Sequence, residues 1–242
     1  MTSSSTPSSA FAWRIAPVGD RCLVVEFGQA VEPAVNATVR SFARELLDEP
    51  IAGIVDVVPA FTTVAVHYRP EFFAEGASPY DVLRRRLDAL LARGIRPHDE
   101  DARTVDIPVC YGGEFGPDLE EVAAACGLQA EEVIARHVAS PHLVCMLGFA
   151  PGFPYIGGLD PSLAVPRRDT PRTRVPAGSV AIARDQTSIY SLETPGGWNV
   201  IGRTPLKLFD AAAESPCLLR PGDRIRFVPA SAEVFGSAEV PR

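Results

Sequence analysis

Several signatures of common chemistries are missing from this 242-residue chain. There is no GxxxxGKS/T phosphate loop and no GxGxxG fingerprint, which excludes the two commonest nucleotide-binding loops. Ala177-Gly178-Ser179-Val180-Ala181 carries alanines where a nucleophile elbow needs its outer glycines. The four histidines, His67, His98, His137 and His142, lack metal-ligand spacing, so no metal site is expected. No Ser/His/Asp set stands out either, so the chain taken alone reads as an incomplete catalyst. Its five cysteines (Cys22, Cys110, Cys126, Cys145, Cys217) form no CxxC pair, which argues against a zinc site or a disulfide framework. Reduced thiols in the cytoplasm are the simplest reading. No apolar run is long enough to cross a membrane. Residues 1–10 (MTSSSTPSSA) lack the basic start and apolar centre of a signal peptide, and 1–11 read as a disordered tail. A net charge of −7 argues against a general nucleic-acid binder.

Proline (23) and glycine (19), by contrast, are plentiful, and they recur every few residues through 137–210. The same stretch is threaded with Phe, Tyr, Ile and Val, which a disordered linker would lack. Interior prolines break helices. Short strands and ordered loops remain.

The first third alternates strand and helix. Cys22–Phe27 is an apolar strand. Pro33 opens a helix whose face is Val35, Val39, Phe42, Leu46 and Leu47, and Pro50 ends it. Residues 51–58 and 61–68 form a hairpin-like pair around Pro59-Ala60. Ser78 and Pro79 start a second helix, with Tyr80, Leu83, Leu87, Leu90 and Leu91 as its face and Gly94 at its end. Residues 104–110 are a further strand. The order β-α-β-β-α-β predicts an α+β chain that begins with a ferredoxin-like domain over 12–96. A charged linker occupies 97–103 and a second domain 104–230, with a tail at 231–242. Two short helices are expected at 118–125 and 130–139, and a half-buried strand carries Ile225 and Phe227.

The candidate site residues lie in the Gly/Pro-rich region. Arg167, Arg168, Arg172 and Arg174 stand out against the acidic background. A guanidinium matches a carboxylate or phosphate through two parallel hydrogen bonds, and Pro166 and Pro171 stiffen the loop. Tyr155 and Trp198 sit in Gly/Pro turns, and each has a polar handle suited to a pocket rim. Phe153 fits core packing better. Gln186 and Tyr190, four apart on an expected strand, share one face. His137 and His142 have the intrinsic pKa of a general base.

Three motifs, GFAPGFPYIGGLDPSLAVPRR, PRTRVPAGSVAIA and TPGGWNVIGRTPLKLFD, closely resemble the PxpB/KipI family. That family is also known as allophanate hydrolase subunit 1 and as a carboxyltransferase-type half domain, here expected as subdomain A/B. The resemblance spans about residues 12–230. It implies a cyclophilin-like β-barrel after the small α/β domain. It also implies the B subunit of a bacterial 5-oxoprolinase, which opens 5-oxoproline to glutamate at the expense of ATP with Mg in a complex with a homologous C subunit and an A subunit. The chain would be inactive alone. Inhibition of a sensor histidine kinase, or membership of a urea/allophanate-type amidolyase complex, are the alternatives it implies. On this reading Arg167, Arg172 and Arg203 clamp an anion, His137 serves as general base, and Tyr190 and Gln186 orient the amide. Backbone N–H groups at Gly152, Gly178 or Gly197 face the developing oxyanion, and Tyr155 and Trp198 wall the pocket. His142, Cys145, Ser191 and Ala183-Arg184-Asp185 depart from the family pattern.

Overall fold

The computed structural model describes residues 12–73, 78–96 and 103–235. It divides into two units, one up to Asp99 and one from Glu100 onward. The expected tail at 1–11, most of the linker and most of the C-terminal tail lie outside the described residues. No helix among them is long and apolar enough to cross a membrane, and none of the five cysteines is in a disulfide.

In the first unit, β1 (Arg14–Pro17) and β2 (Cys22–Glu26) form a hairpin, followed by α1 (Pro33–Asp48). A second hairpin, β3 (Ile54–Pro59) and β4 (Thr63–Tyr68), precedes α2 (Pro79–Ala92). The sheet is antiparallel with order β1-β2-β4-β3. Alternation along a strand sends every second side chain to one face. Leu23 and Val25 of β2 and Val64, Val66 and Tyr68 of β4 therefore meet Val39, Phe42 and Leu46 of α1 and Leu83, Leu87 and Leu91 of α2. Leu47, expected on the α1 face, is instead 62% exposed. One residue past Leu46 the helix has turned about 100°, out of the apolar stripe. Pro33 and Pro79 sit in the first turns of their helices, where a missing N–H leaves no bond unmade.

The chain order of this unit is thus ββαββα. Residues 104–111 lie in the second unit, and β1 takes the place beside β2 that a fourth ferredoxin-like strand would occupy.

The second unit runs β5 (Thr104–Tyr111), α3 (Leu119–Cys126), α4 (Ala130–Ala139), β6 (His142–Leu147), β7 (Pro154–Gly157), β8 (Arg172–Val175), β9 (Ser179–Ala183), β10 (Gln186–Ile189), β11 (Thr194–Gly196), β12 (Asn199–Arg203) and β13 (Arg224–Pro229). Seven of its strands close into a barrel, β10-β7-β6-β13-β5-β12-β9, while β8 and β11 pair separately. The β5–β13 pair is parallel, joining the first and last strands of the unit. Ile107, Ile156, Val180, Ile182, Ile201 and Phe227 fill the interior, and Leu119 and Val122 of α3 and Val133 of α4 pack with them. Gly127 ends α3 at φ +68°, the left-handed conformation that closes many helices. The barrel is filled with side chains, so ligand chemistry belongs on its outside.

Candidate functional site

Along β9 and β12 the residues that alternate with the core point outward. Ala181, Ala183 and Val200 do so, as does Tyr190 just beyond β10. The two alanines leave room above the strands for large rings. Phe153, from the loop before β7, occupies the centre, with ring centroids 5.3 Å from Tyr155, 5.3 Å from Tyr190 and 6.3 Å from Trp198. All three contacts are edge-to-face, the arrangement the ring quadrupoles favour. Phe153 is buried, as expected of core packing. Tyr155 is half-buried, and its ring lies 6.2 Å from that of Trp198. The Arg167 guanidinium carbon sits 5.7 Å from the Trp198 ring centre, a cation–π geometry.

Tyr190 is 2% exposed. Burial pushes its phenol above the usual range. The Trp198 backbone N–H and the nearby charges of Arg167 and Arg172 pull the other way. Its hydroxyl lies so close to Gly196 that a Cβ there would approach it to 2.1 Å. Tyr155, Arg167, Arg172, Tyr190 and Trp198 are thus brought into one neighbourhood, and the phenol stays neutral.

The arginine cluster is organised by Asp118, a residue the sequence placed only at the start of α3. Asp118 is 1% exposed. Its Oδ1 accepts hydrogen bonds from Arg168 Nη1 (2.7 Å) and Arg172 Nη2 (2.6 Å). Its Oδ2 accepts from Arg172 Nη1 (2.7 Å) and the Val200 N–H (2.7 Å). The expected ligand clamp at Arg172 is therefore corrected: both of its terminal nitrogens are committed to a buried carboxylate. Arg168 also donates to Glu121, and Arg174 pairs with Glu193 at the surface. Arg167 has no ion pair among the described residues. It borders both the aromatic patch and an open cleft of ≈ 410 Å³ lined by α3, residues 165–170 and Asn199.

His137 lies elsewhere. Its ring is fully buried in the barrel core, 4.5 Å from the Phe227 ring. The Thr187 hydroxyl donates to the Ala181 carbonyl (3.1 Å), so it accepts from His137 Nε2 (3.0 Å), and Nδ1 accepts a hydrogen bond from the Tyr111 hydroxyl (2.8 Å). His142 Nε2 donates to the His137 carbonyl (2.6 Å). Burial pulls His137 well below its ordinary pKa and His142 down to about 4. This geometry overturns the expectation of a general base at His137, because both nitrogens are occupied and solvent is excluded.

Other expectations divide. The Gly178 N–H is spent on the Tyr190 carbonyl (2.7 Å), so it is no oxyanion donor here. Its φ is +82°, and a Cβ added there would meet the Thr204 carbonyl oxygen at 2.2 Å, which makes it a packing glycine. Gly152 (φ +71°) abuts Phe209 and Leu208, whereas Gly197 lies in looser surroundings beside Pro171. Gln186 is half-buried and shares the outward face of Tyr190. Arg203 donates Nε–H to the Ala177 carbonyl (2.8 Å) and stacks 5.8 Å from the Phe235 ring, engaged by the C-terminal turn.

Comparison with known proteins gives this barrel, with its aromatic cluster and the Arg167 guanidinium beside it, a family. The chain belongs to the family of the carboxyltransferase domain, subdomain C and D, whose model matches residues 13–219. The match is to these subdomains, not to the A/B half expected from the motifs. Two relatives, each named as the B subunit of 5-oxoprolinase, are 43% identical to this chain. The one from Bacillus subtilis (strain 168) aligns over 89% of this chain and 92% of its own, and the one from Escherichia coli O157:H7 over 88% and 94%. The crystal structure of TTHA0988 superposes with a TM-score of 0.75 at 41% identity, covering 87% of this chain and 40% of that longer one.

Proposed function

We propose that this chain is the B subunit of a cytoplasmic, ATP-dependent 5-oxoprolinase that opens 5-oxoproline to L-glutamate with a homologous C subunit and an A subunit. The observation that carries this reading is the 43% identity, over nearly the full length of both chains, to proteins named as that subunit. The site supports it. 5-Oxoproline has one carboxylate and a small planar lactam. Arg167 offers a guanidinium fork for the carboxylate, and the half-buried Tyr155 offers flat apolar surface for the ring, with Trp198 packed behind it. Tyr190, expected to orient the amide, is instead buried beneath these rings, a neutral phenol packed edge-to-face on Phe153.

ATP with its metal is placed at the assembled complex and not at this chain alone. The sequence has no phosphate loop, and no group of three or more His, Cys, Asp or Glu side chains is placed to hold a cation among the described residues. ATP and Mg are assigned to the assembled complex, and no step is routed through them on this chain. On this reading the chain is inactive alone, and the exposed Arg167 meets a second wall supplied by a partner.

The test is ATP hydrolysis by the purified chain with its candidate C and A subunits, with and without 5-oxoproline. Substrate-dependent hydrolysis that requires this chain is expected. An assembled complex whose ATP use ignores 5-oxoproline would refute the reading. In the active complex, Arg167→Ala should raise the KM for 5-oxoproline by about tenfold or more, the loss of one charge-assisted hydrogen bond.

A further inference from the structure

We propose that Asp118 is a positioning residue: it sets Arg167 against Trp198 and so poises the guanidinium for a small carboxylate ligand. The inference rests on the site reading above for its ligand, but its geometry stands alone. Arg167 lies in a loop pinned on both sides. Ahead of it, the Asn199 side chain donates to the Pro166 carbonyl (2.8 Å). Behind it, the Arg168 N–H donates to the Gly197 carbonyl (2.8 Å), next to Trp198. The Arg168 side chain then reaches Asp118, as does Arg172 at the end of the loop. Asp118 is itself fastened to β12, its N–H donating to the Val200 carbonyl (2.9 Å) and its Oδ2 accepting the Val200 N–H. One buried carboxylate thus ties α3, β12 and both neighbours of the loop together.

The arrangement also sorts the arginines by function. With Arg168 drawn down onto Asp118 and Glu121, Arg167 is turned the other way, over Trp198. Asp118 absorbs two cations that would compete for an anionic ligand and leaves the third in place. Held before the ligand arrives, that guanidinium loses less freedom on binding.

The experiment uses the full chain with Trp13→Phe, so that Trp198 is the one remaining indole. Asp118→Asn keeps the shape and removes the charge. Arg168→Gln cuts the tether but leaves the Arg172–Asp118 pair, so it stays measurable if Asp118→Asn folds poorly. Acrylamide quenching of Trp198 should rise in each, and in Arg167→Ala as well. In the assembled complex, Asp118→Asn should raise the KM for 5-oxoproline at least about tenfold with kcat within about twofold, the signature of lost ground-state binding. Added to Arg167→Ala it should raise KM no further, since both changes act through one contact. Trp198 quenching unchanged by both Asp118→Asn and Arg168→Gln would overturn the proposal, as would additive effects on KM. A complex without 5-oxoproline-dependent ATP use would instead refute the functional reading, while the quenching result still decides the role of Asp118.

Discussion

Two neutral histidines sealed in the barrel make its stability depend on pH in a direction the structure determines. Burial, which disfavours the cation, pulls His142 down to about 4 in the fold and His137 well below its ordinary value. An unfolded chain protonates either ring near 6.5. Above that value neither state binds the proton and nothing is lost. Below it the unfolded state binds protons that the fold refuses, so stability falls as the pH drops from 6.5 towards 4. Each ring contributes a slope of about 1.4 kcal/mol per pH unit. At pH 5 that is about 2 kcal/mol for His142, with His137 adding in the same direction, a sizeable share of the ~5–15 kcal/mol that holds a domain together. The other two histidines, His67 and His98, precede the barrel in the chain. Urea titrations at pH 7, 6 and 5 on the Trp13→Phe chain, read through Trp198, report the barrel alone. The midpoint should fall steeply with pH. His137→Gln with His142→Gln should be weaker at pH 7 yet nearly flat down to pH 5. A parent midpoint independent of pH, or the same slope in the double variant, would refute the account.

Three further outcomes follow from packing. Arg172→Ala strips Asp118 of two charged hydrogen bonds and should destabilise the barrel by about 3 kcal/mol, the low end for breaking a buried pair because Arg172 is partly exposed. Arg167→Ala should cost less than about 0.5 kcal/mol in the same urea titration. Gly178→Ala must resolve both a positive φ and a clash with the Thr204 carbonyl, so a melting temperature lowered by several degrees is expected.

What was legible in the sequence was local. The faces of α1 and α2 follow from 3.6-residue spacing, and only Leu47, at the edge of a stripe, strayed from its expected place. β1 was not: four residues, RIAP, one of them proline, are too few for a period-2 signal. The aromatic patch was legible because Gly/Pro turns announced Tyr155 and Trp198. The partner of Arg172 was not, because Asp118 lies 54 residues away and no local window reports a contact of that separation. His137 misled for a related reason. Its intrinsic pKa suits a base, and only the tertiary contacts with Tyr111, Thr187 and Phe227 show that water never reaches it. The closed barrel came from family resemblance, since strands of three to eight residues split by prolines carry little periodicity.

The parallel pairing of β5 with β13 has a consequence in time. During synthesis the sheet of the first unit has all four strands once residue 68 has emerged and its second helix by residue 92. The barrel must wait for residues 224–229, because β13 sits between β5 and β6 and nothing else bridges that gap. Until the last strand arrives, β5 presents an open edge through more than a hundred residues of elongation and β6 through more than seventy, and strands in that state invite pairing with the wrong neighbour. Chaperone demand in this protein should fall on its nascent second half, and a ribosome stalled before residue 224 would carry a finished first unit and an unclosed barrel.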